Sequence, residues 1–249
     1  GSNYMIDVGD EFILLLTGKI NKEHTLEVQR DGSLVIPSVG KISVAGMSLK
    51  EANTSLGNFL DNTMLGVDPQ PALSAVRDIQ VLLLGGIQSP GVYSLSGGSN
   101  LLHALNVAGG IAENGSYRKL DLIRDSKVKG TYDLYDIFTL GSFDPTATLR
   151  SGDSVYVHPR SFLVPITGGV NQEALYEILP DETLGKLIGF AGGLSPSFDG
   201  FNQVKVNSID LDGVQIKDIN IKEFNTYKLR SRDSVLVPAY ESEGLKLLS

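Results

Sequence analysis

Apolar positions along this chain recur twice in the same order. A continuous apolar run at Val81–Leu84 passes into Gly85-Gly86, and Phe162–Ile166 leads into Gly168-Gly169. Each pair of glycines is followed by a second short run, Val92–Leu95 or Ala174–Ile178, that reads as a strand. Next comes spacing of i, i+3, i+4, i+7, in Leu101, Ala104, Leu105, Ala108 and again in Leu184, Leu187, Ile188, Ala191. Such a narrow stripe predicts a helix that packs on a sheet. Ser99 and Asp181 are the expected N-caps, and Gly109 and Gly192 stand where a left-handed C-cap belongs. The last third of each copy is β-like, with a hairpin expected at Asp212-Gly213, and ends in Gly-Asp-Ser-Val-Tyr-Val or Arg-Asp-Ser-Val-Leu-Val. Ala108 and Ala191 lie 83 residues apart, Asp153 and Asp233 only 80, so about three residues are lost within the second copy. Two copies, residues 79–159 and 162–239, are too few for a solenoid, and each is long enough to be a small domain.

The segment before them has its own pattern. A turn at Asp7–Glu11 precedes the apolar run Phe12–Leu16, which reads as a buried strand. Leu26–Gln29 alternates and meets Asp31-Gly32, a strong hairpin signal, after which the chain resumes at Leu34–Pro37. A short strand is expected at Ile42–Val44. Ser48 and Glu51 form a capping box ahead of a helix with Leu49, Ala52, Leu56 and Phe59 on one face. Leu73, Ala75 and Ile79 suggest an alternating strand leading into the first repeat, with a boundary near Arg77-Asp78. The predicted class is α+β: a leading domain of mixed sheet plus helix at 3–77, β-grasp-like domains at 78–160 and 161–240, and a tail at 241–249.

Composition narrows the function. A 249-residue chain with 41 % hydrophobic and 20 % charged residues can bury cores. Its net charge of −8 without any basic run disfavours nucleic acid and anionic lipid as partners. Zero cysteines exclude disulfides, thiolate nucleophiles and Cys-ligated metals. No apolar run approaches the ~20 residues of a membrane span. Gly1-Ser2 reads as a remnant of tag cleavage, so the native start is expected to be trimmed.

Candidate chemistry is sparse. Asp7, Asp10 and Glu11 could act as a carboxylate cluster, but acids in a turn ahead of a strand ordinarily accept backbone N–H bonds. Asp153 and Asp233 recur with the repeat, as turn residues would and a catalytic group would not. His24, His103 and His158 have no partner at ligand spacing, and His103 is expected to face solvent. Gly97-Gly98-Ser99-Asn100 ahead of a helix could cradle a phosphate, but it lacks a P-loop lysine, and the second copy has Pro180-Asp181-Glu182 there. Tyr93, Tyr117, Tyr132, Tyr135 and Tyr156 could stack on sugars, yet most lie in strand-like runs where packing explains them. No catalytic, cofactor or metal residue is assigned.

Ordered motifs supply a resemblance. Gly9-Asp10-Glu11, the block Asp31-Gly32-Ser33-Leu34-Val35-Ile36-Pro37-Ser38-Val39-Gly40, and Val44–Ala52 with Gly46 make residues 4–76 similar to the export domain of bacterial outer-membrane polysaccharide export proteins. Both repeats resemble that family's soluble-ligand-binding β-grasp (SLBB) module. The residues that carry this are Gly85-Gly86-Ile87, Ser89-Pro90-Gly91-Val92-Tyr93, Ala108-Gly109-Gly110, Leu122–Arg124 and Ser151-Gly152-Asp153-Ser154-Val155-Tyr156-Val157. The second copy keeps Gly168, Ala191-Gly192-Gly193 and Asp233, but has Asn171-Gln172-Glu173 for the Ser-Pro-Gly turn and Arg232 for Gly152. The resemblance implies a non-enzymatic component of a capsular or exopolysaccharide export translocon, in the periplasm and attached to the outer membrane. Such proteins are typically lipoproteins that form homo-oligomeric rings around the polymer and dock on an inner-membrane co-polymerase, often coupled to a tyrosine autokinase. The lipid-bearing cysteine is expected to have been removed with the native start, while the pore-closing C-terminal helix is either cut away or absent from this member of the family. The alternatives are a monomeric periplasmic glycan-binding accessory protein and, ranked last, a carbohydrate-active enzyme, which needs opposed carboxylates that do not stand out here.

Overall fold

The alternation of the first apolar run decides the first sheet. In the computed structural model, which describes residues 4–18, 21–64, 66–140, 148–198, 203–211 and 213–240, Glu11–Gly18 forms strand β1 with Phe12, Leu14 and Leu16 buried on one face. After it come β2 (Lys22–Glu27), β3 (Ser33–Ile36), β4 (Gly40–Ser43), helix α1 (Leu49–Thr63) and β5 (Val67–Ala75). β1 is central in an antiparallel sheet of order β2-β1-β5, and β3 pairs with β4 in a separate two-stranded sheet. Contacts divide the chain into two compact units. One comprises Gly1–Leu82, Val92–Ala104 and Thr146–Asp153, the other Leu83–Gly91, Leu105–Pro145 and Ser154–Ser249.

The expected hairpin across Asp31-Gly32 is corrected. A turn is present, with the Gly32 N–H donating to the Gln29 carbonyl at 2.8 Å, but β2 and β3 do not share a sheet. The Gly32 carbonyl accepts the N–H groups of Val44 and Ala45, both at 2.9 Å, and a Cβ at Gly32 would lie 2.8 Å from Ala45 Cβ. The turn residues therefore serve the β3–β4 hairpin, which closes through Pro37, Ser38 and Val39 before Gly40. The α1 capping box is as expected: Ser48 N–H donates to Glu51 Oε2 at 2.8 Å and Glu51 N–H to Ser48 Oγ at 3.3 Å. Ala52, Leu56 and Leu60 are the buried line of the helix, and they join Phe12, Leu14 and Val44 in one core. The strand expected to run through Leu73, Ala75 and Ile79 is two strands, broken at Val76-Arg77 and placed in different sheets.

The repeats share one topology. The first runs β6 (Asp78–Gly85), β7 (Gly91–Ser96), α2 (Leu101–Val107), β8 (Gly115–Arg124), β9 (Lys127–Tyr132), α3 (Leu134–Leu140) and β10 (Ser154–Pro159), with sheet order β7-β6-β10-β8-β9. The second runs β11 (Phe162–Gly168), β12 (Ala174–Ile178), α4 (Leu184–Phe190), β13 (Gln203–Asp210), β14 (Gly213–Asn220) and β15 (Asp233–Val237), with order β12-β11-β15-β13-β14. Position for position the two orders are the same. In the second sheet β11 and β15 are parallel, while the outer pairs β11–β12 and β13–β14 are antiparallel. Isolated bridges repeat too: Ile87–Ile111 matches Val170–Leu194, and Asn100–Thr148 matches Thr183–Lys228. Both helix stripes named from spacing are buried.

Two expectations change. The helix caps fall later than Ser99 and Asp181. Asn100 Oδ1 accepts the His103 N–H at 2.9 Å, and Thr183 Oγ1 faces the Lys186 N–H at 3.4 Å. Asn100 and Thr183 are also the residues pinned by the isolated bridges, so each helix starts where its chain is fixed. Asp181 instead takes a left-handed φ of 70° and pairs with Lys228 at 2.7 Å. Each repeat also carries a further helical turn, α3 or a 3₁₀ turn at Ile221–Glu223, where one helix per copy was expected; Leu134 and Phe224 there are buried. Of the expected Asp212-Gly213 turn, Asp212 lies outside the described residues, as do Gly1-Ser2 and the tail at 241–249; the β13–β14 ladder closes at Asp210–Gly213.

Gly85 and Gly168 show what the repeated glycines are for. Both have positive φ (81° and 94°), and an added Cβ would sit 2.1 Å from the Val157 carbonyl oxygen or 1.9 Å from that of Val237. Gly193 has a similar φ of 88° but open space around it. Gly168→Ala should therefore lower unfolding free energy by at least about 2 kcal/mol, through strain plus backbone collision, and Gly193→Ala by about 1 kcal/mol through strain alone. Urea unfolding of the two variants checks the difference, and equal losses would refute it.

Candidate functional site: buried charged joints

Asp10 is fully buried, and its partners explain why that is tolerable. Oδ1 accepts the Tyr4 hydroxyl at 2.8 Å and the Arg77 N–H at 3.0 Å, and Oδ2 accepts the Asp7 N–H at 2.9 Å. The Arg77 guanidinium reaches the carboxylate at 3.3 Å and Asp7 Oδ2 at 3.0 Å. Burial first, and then the hydrogen bond to Asp10, push the Tyr4 phenol above its ordinary pKa, so it stays a donor. Arg77 directly precedes β6, and its carbonyl accepts the Gly97 N–H at 2.7 Å. A Cβ on Gly97 would lie 2.9 Å from both that carbonyl and the Tyr4 hydroxyl. This is what the Gly97-Gly98 pair does: it admits Tyr4 and Arg77, and the Gly97 N–H is already engaged, unlike that of a phosphate cradle. The turn expected to accept backbone N–H bonds does so at Asp10, from Asp7 and Arg77, and it is at the same time a buried tie from the leading segment to the start of the first repeat.

A second joint links β8 with β12 and α4. Glu177, 1 % exposed, accepts the Ser116 hydroxyl at 2.7 Å and the backbone N–H groups of Tyr117 and Ser161, each at 2.9 Å. Its own N–H donates to the Tyr135 hydroxyl at 2.9 Å. Beside it, the buried Arg118 guanidinium forms ion pairs with Asp133 at 2.7 Å and with Glu182, whose carboxylate also accepts the Leu179 N–H at 2.8 Å. The guanidinium lies 4.6 Å from the Phe190 ring centroid and 5.1 Å from that of Tyr135. Burial alone would lower the Arg118 pKa, but the bonds to Glu182 and Asp133 outweigh it and raise it. For Glu182 burial acts upward, yet Arg118, Lys186 and the Leu179 N–H together hold it below the ordinary carboxylate range.

The other residues singled out by sequence are dispersed in turns. Gly9 (φ 87°) donates to the Val28 carbonyl and Gly46 (φ 83°) to that of Ile6. Asp31 accepts the Ser33 N–H and hydroxyl and pairs with Lys41. Pro90 and Gly91 lead into β7, while Ala108 and Ala191 are buried beside the left-handed Gly109-Gly110 and Gly192-Gly193. Asp153 and Asp233 are buried and accept the N–H of Arg150 at 2.7 Å and of Arg230 at 2.8 Å, closing the turns that hold Gly152 and Arg232. His24 lies in β2, His103 is exposed on α2, and His158 pairs with Asp121 at 2.7 Å. Of the five tyrosines, Tyr135 enters a joint, edge-on to Phe190 at 5.0 Å. Among the described residues no His, Asp and Glu side chains gather into a metal-holding group, and no helix is long and apolar enough to cross a membrane, which says nothing of a β-barrel.

Residues 1–76 match the family described as polysaccharide biosynthesis/export protein, and residues 80–132 and 163–216 each match the SLBB domain. The chain belongs to the polysaccharide export family. It is 27 % identical over 170 residues to a polysialic acid transport protein, KpsD, of Escherichia coli, and 26 % identical to a second protein of that name and organism. That alignment covers 68 % of this chain but 30 % of the relative, so the chain spans about a third of the length of the curated relatives it matches. The polysaccharide export family is one of export proteins rather than enzymes, and the two SLBB matches fall on the two sheets of identical strand order.

Removing the acceptor from the second joint orphans buried donors. Glu177→Leu should destabilise by about 2–5 kcal/mol, and Glu177→Gln by less because one carbonyl oxygen remains; urea midpoints rank the two. The depressed Glu182 pKa gives stability that is full above the ordinary carboxylate value of about 4.3 and is lost as pH falls through the lower folded value. Arg118→Met removes the main cause of the depression, so the acid limb of a plot of Tm against pH should become shallower.

Proposed function

We propose that this chain is a component of a capsular or exopolysaccharide export translocon, held in the periplasm and attached to the outer membrane. In this reading copies of the protein pack side by side into a conduit for the polymer. Its partners are other copies of itself, an inner-membrane co-polymerase with its tyrosine autokinase, and the transported polysaccharide, and it works as architecture without a reactive centre. The observation that carries the reading is the order of parts: a polysaccharide export match, then two SLBB matches on one repeated topology. The buried joints fit it, because a wall needs successive modules fixed to one another, and groups satisfied as Asp10 and Glu177 are cannot separate without orphaning buried charge.

Deleting the gene should abolish polysaccharide at the cell surface while synthesis continues. Electron microscopy of the full-length protein in membranes should show closed rings. A strict monomer with measurable glycan affinity would favour an accessory binder, and turnover of an oligosaccharide would favour an enzyme.

A further inference from the structure

The β13–β14 hairpin changes character along one face. Val204, Val206 and Ile219 are buried in the core of the second repeat. Beyond them, the residues whose parity continues that face are Ser208 and Asp210 on β13 with Gln215 and Lys217 on β14, paired as Ser208–Gln215 and Val206–Lys217. A sheet face that overhangs its core and turns polar is built to meet water or a polar ligand. Here it forms one wall of an open cleft of about 330 Å³, closed on the other side by Thr226–Lys228 and Arg230-Ser231. That volume is at the lower end of the roughly 300–1,000 Å³ of small-molecule sites.

We propose that this cleft binds a carboxylated sugar residue of an acidic glycan. Lys217 and Arg230 both line it, are exposed, and have side chains without an ion-pair partner among the described residues. Lys228 adds a third positive charge, shared with Asp181 at 2.7 Å. Two acids line the cleft as well. Asp233 is buried and occupied, accepting the Ser208 hydroxyl at 2.7 Å and the Arg230 N–H at 2.8 Å, which leaves Asp210 at the hairpin end as the exposed one. A guanidinium offers two parallel donors to a carboxylate, and the nearby ammonium supplies a second positive charge. The Gln215 amide and Ser231 hydroxyl, the Ser208 and Thr226 oxygens as acceptors (their protons go to Asp233 and the Glu223 carbonyl), and the half-buried Tyr227 suit a ring that carries hydroxyls on an apolar frame. The site is open and its charges are exposed, so binding is weak and screened by salt, as suits a polymer in passage. Arg150 occupies the repeat-equivalent position of Arg230 and also lines a cavity, a smaller one of about 50 Å³ with Tyr4, Arg77 and Gly98.

The choice of a glycan as ligand rests on the export reading, whereas the location of the site does not. The test is titration of the whole chain with short oligosialic acid and oligogalacturonic acid, followed by NMR, with a maltooligosaccharide as the uncharged control. Lys217→Ala/Arg230→Ala should weaken binding of the acidic sugars by about tenfold or more, and added salt should weaken it as well. Lys205→Ala, across the ladder from Asp218 and off this face, should leave binding unchanged. Arg230 closes its turn through its backbone N–H, so the double variant should stay folded, which its amide spectrum reports. Equal binding by the double variant, equal binding of the uncharged sugar, or no binding by the parent chain would overturn the proposal. If the parent gene restores surface polysaccharide but its product binds no acidic sugar, the cleft assignment falls and the export reading stands. If binding is seen but deletion leaves export intact, the export reading falls and the site stands.

Discussion

Burying a carboxylate is costly unless nearly every lone pair is met, and the connections in this chain depend on meeting that condition. Glu177 reaches it with a hydroxyl and two backbone N–H groups, Asp10 with a phenol, two backbone N–H groups and a guanidinium. In each case the donors come from stretches far apart in sequence. Partial separation would strand both the acid and its donors, so such a joint behaves as closed or broken with little between. Apolar packing alone would hold the same parts together but would tolerate sliding. Directional bonds to fixed backbone groups set one geometry, a property of more use to a scaffold than extra affinity would be.

Much of the fold could be read in the sequence because local rules and tertiary packing agree. The helix stripes, the capping box at Ser48 and Glu51, and the doubled Gly-Gly and Ala-Gly-Gly motifs all correspond to structure. The misreadings came where a contact from a distant stretch overrode a local signal. Asp31-Gly32 reads as a hairpin between its neighbouring runs, yet the Gly32 carbonyl is taken by Val44 and Ala45, which no pattern of nearby residues reveals. Ser99 and Asp181 are good caps by type, but the helices begin where bridges to distant residues of the same chain pin Asn100 and Thr183.

The joints were harder to read, since each is completed by residues distant along the chain. Signals existed nonetheless. Arg118 falls at the inward parity of β8, in step with Leu120 and Leu122, where a charge requires a buried partner. Glu177 stands where the first repeat has Ser94, a charge gained by only one copy. Asp10 accepts backbone N–H groups, as its turn position leads one to expect; that Tyr4 and Arg77 close over it is visible only in three dimensions.

The turn ahead of the last strand of each repeat shows what duplication permits. In the first copy a left-handed position is held by Gly152, with nothing within 4 Å of where a Cβ would point; in the second it is held by Arg232 at φ 71°. The backbone keeps its course at a strain of about 1–2 kcal/mol. Once a module exists twice, one copy can keep the relaxed form while its twin accumulates side chains the ancestral turn never carried, and the two can diverge in chemistry without diverging in shape.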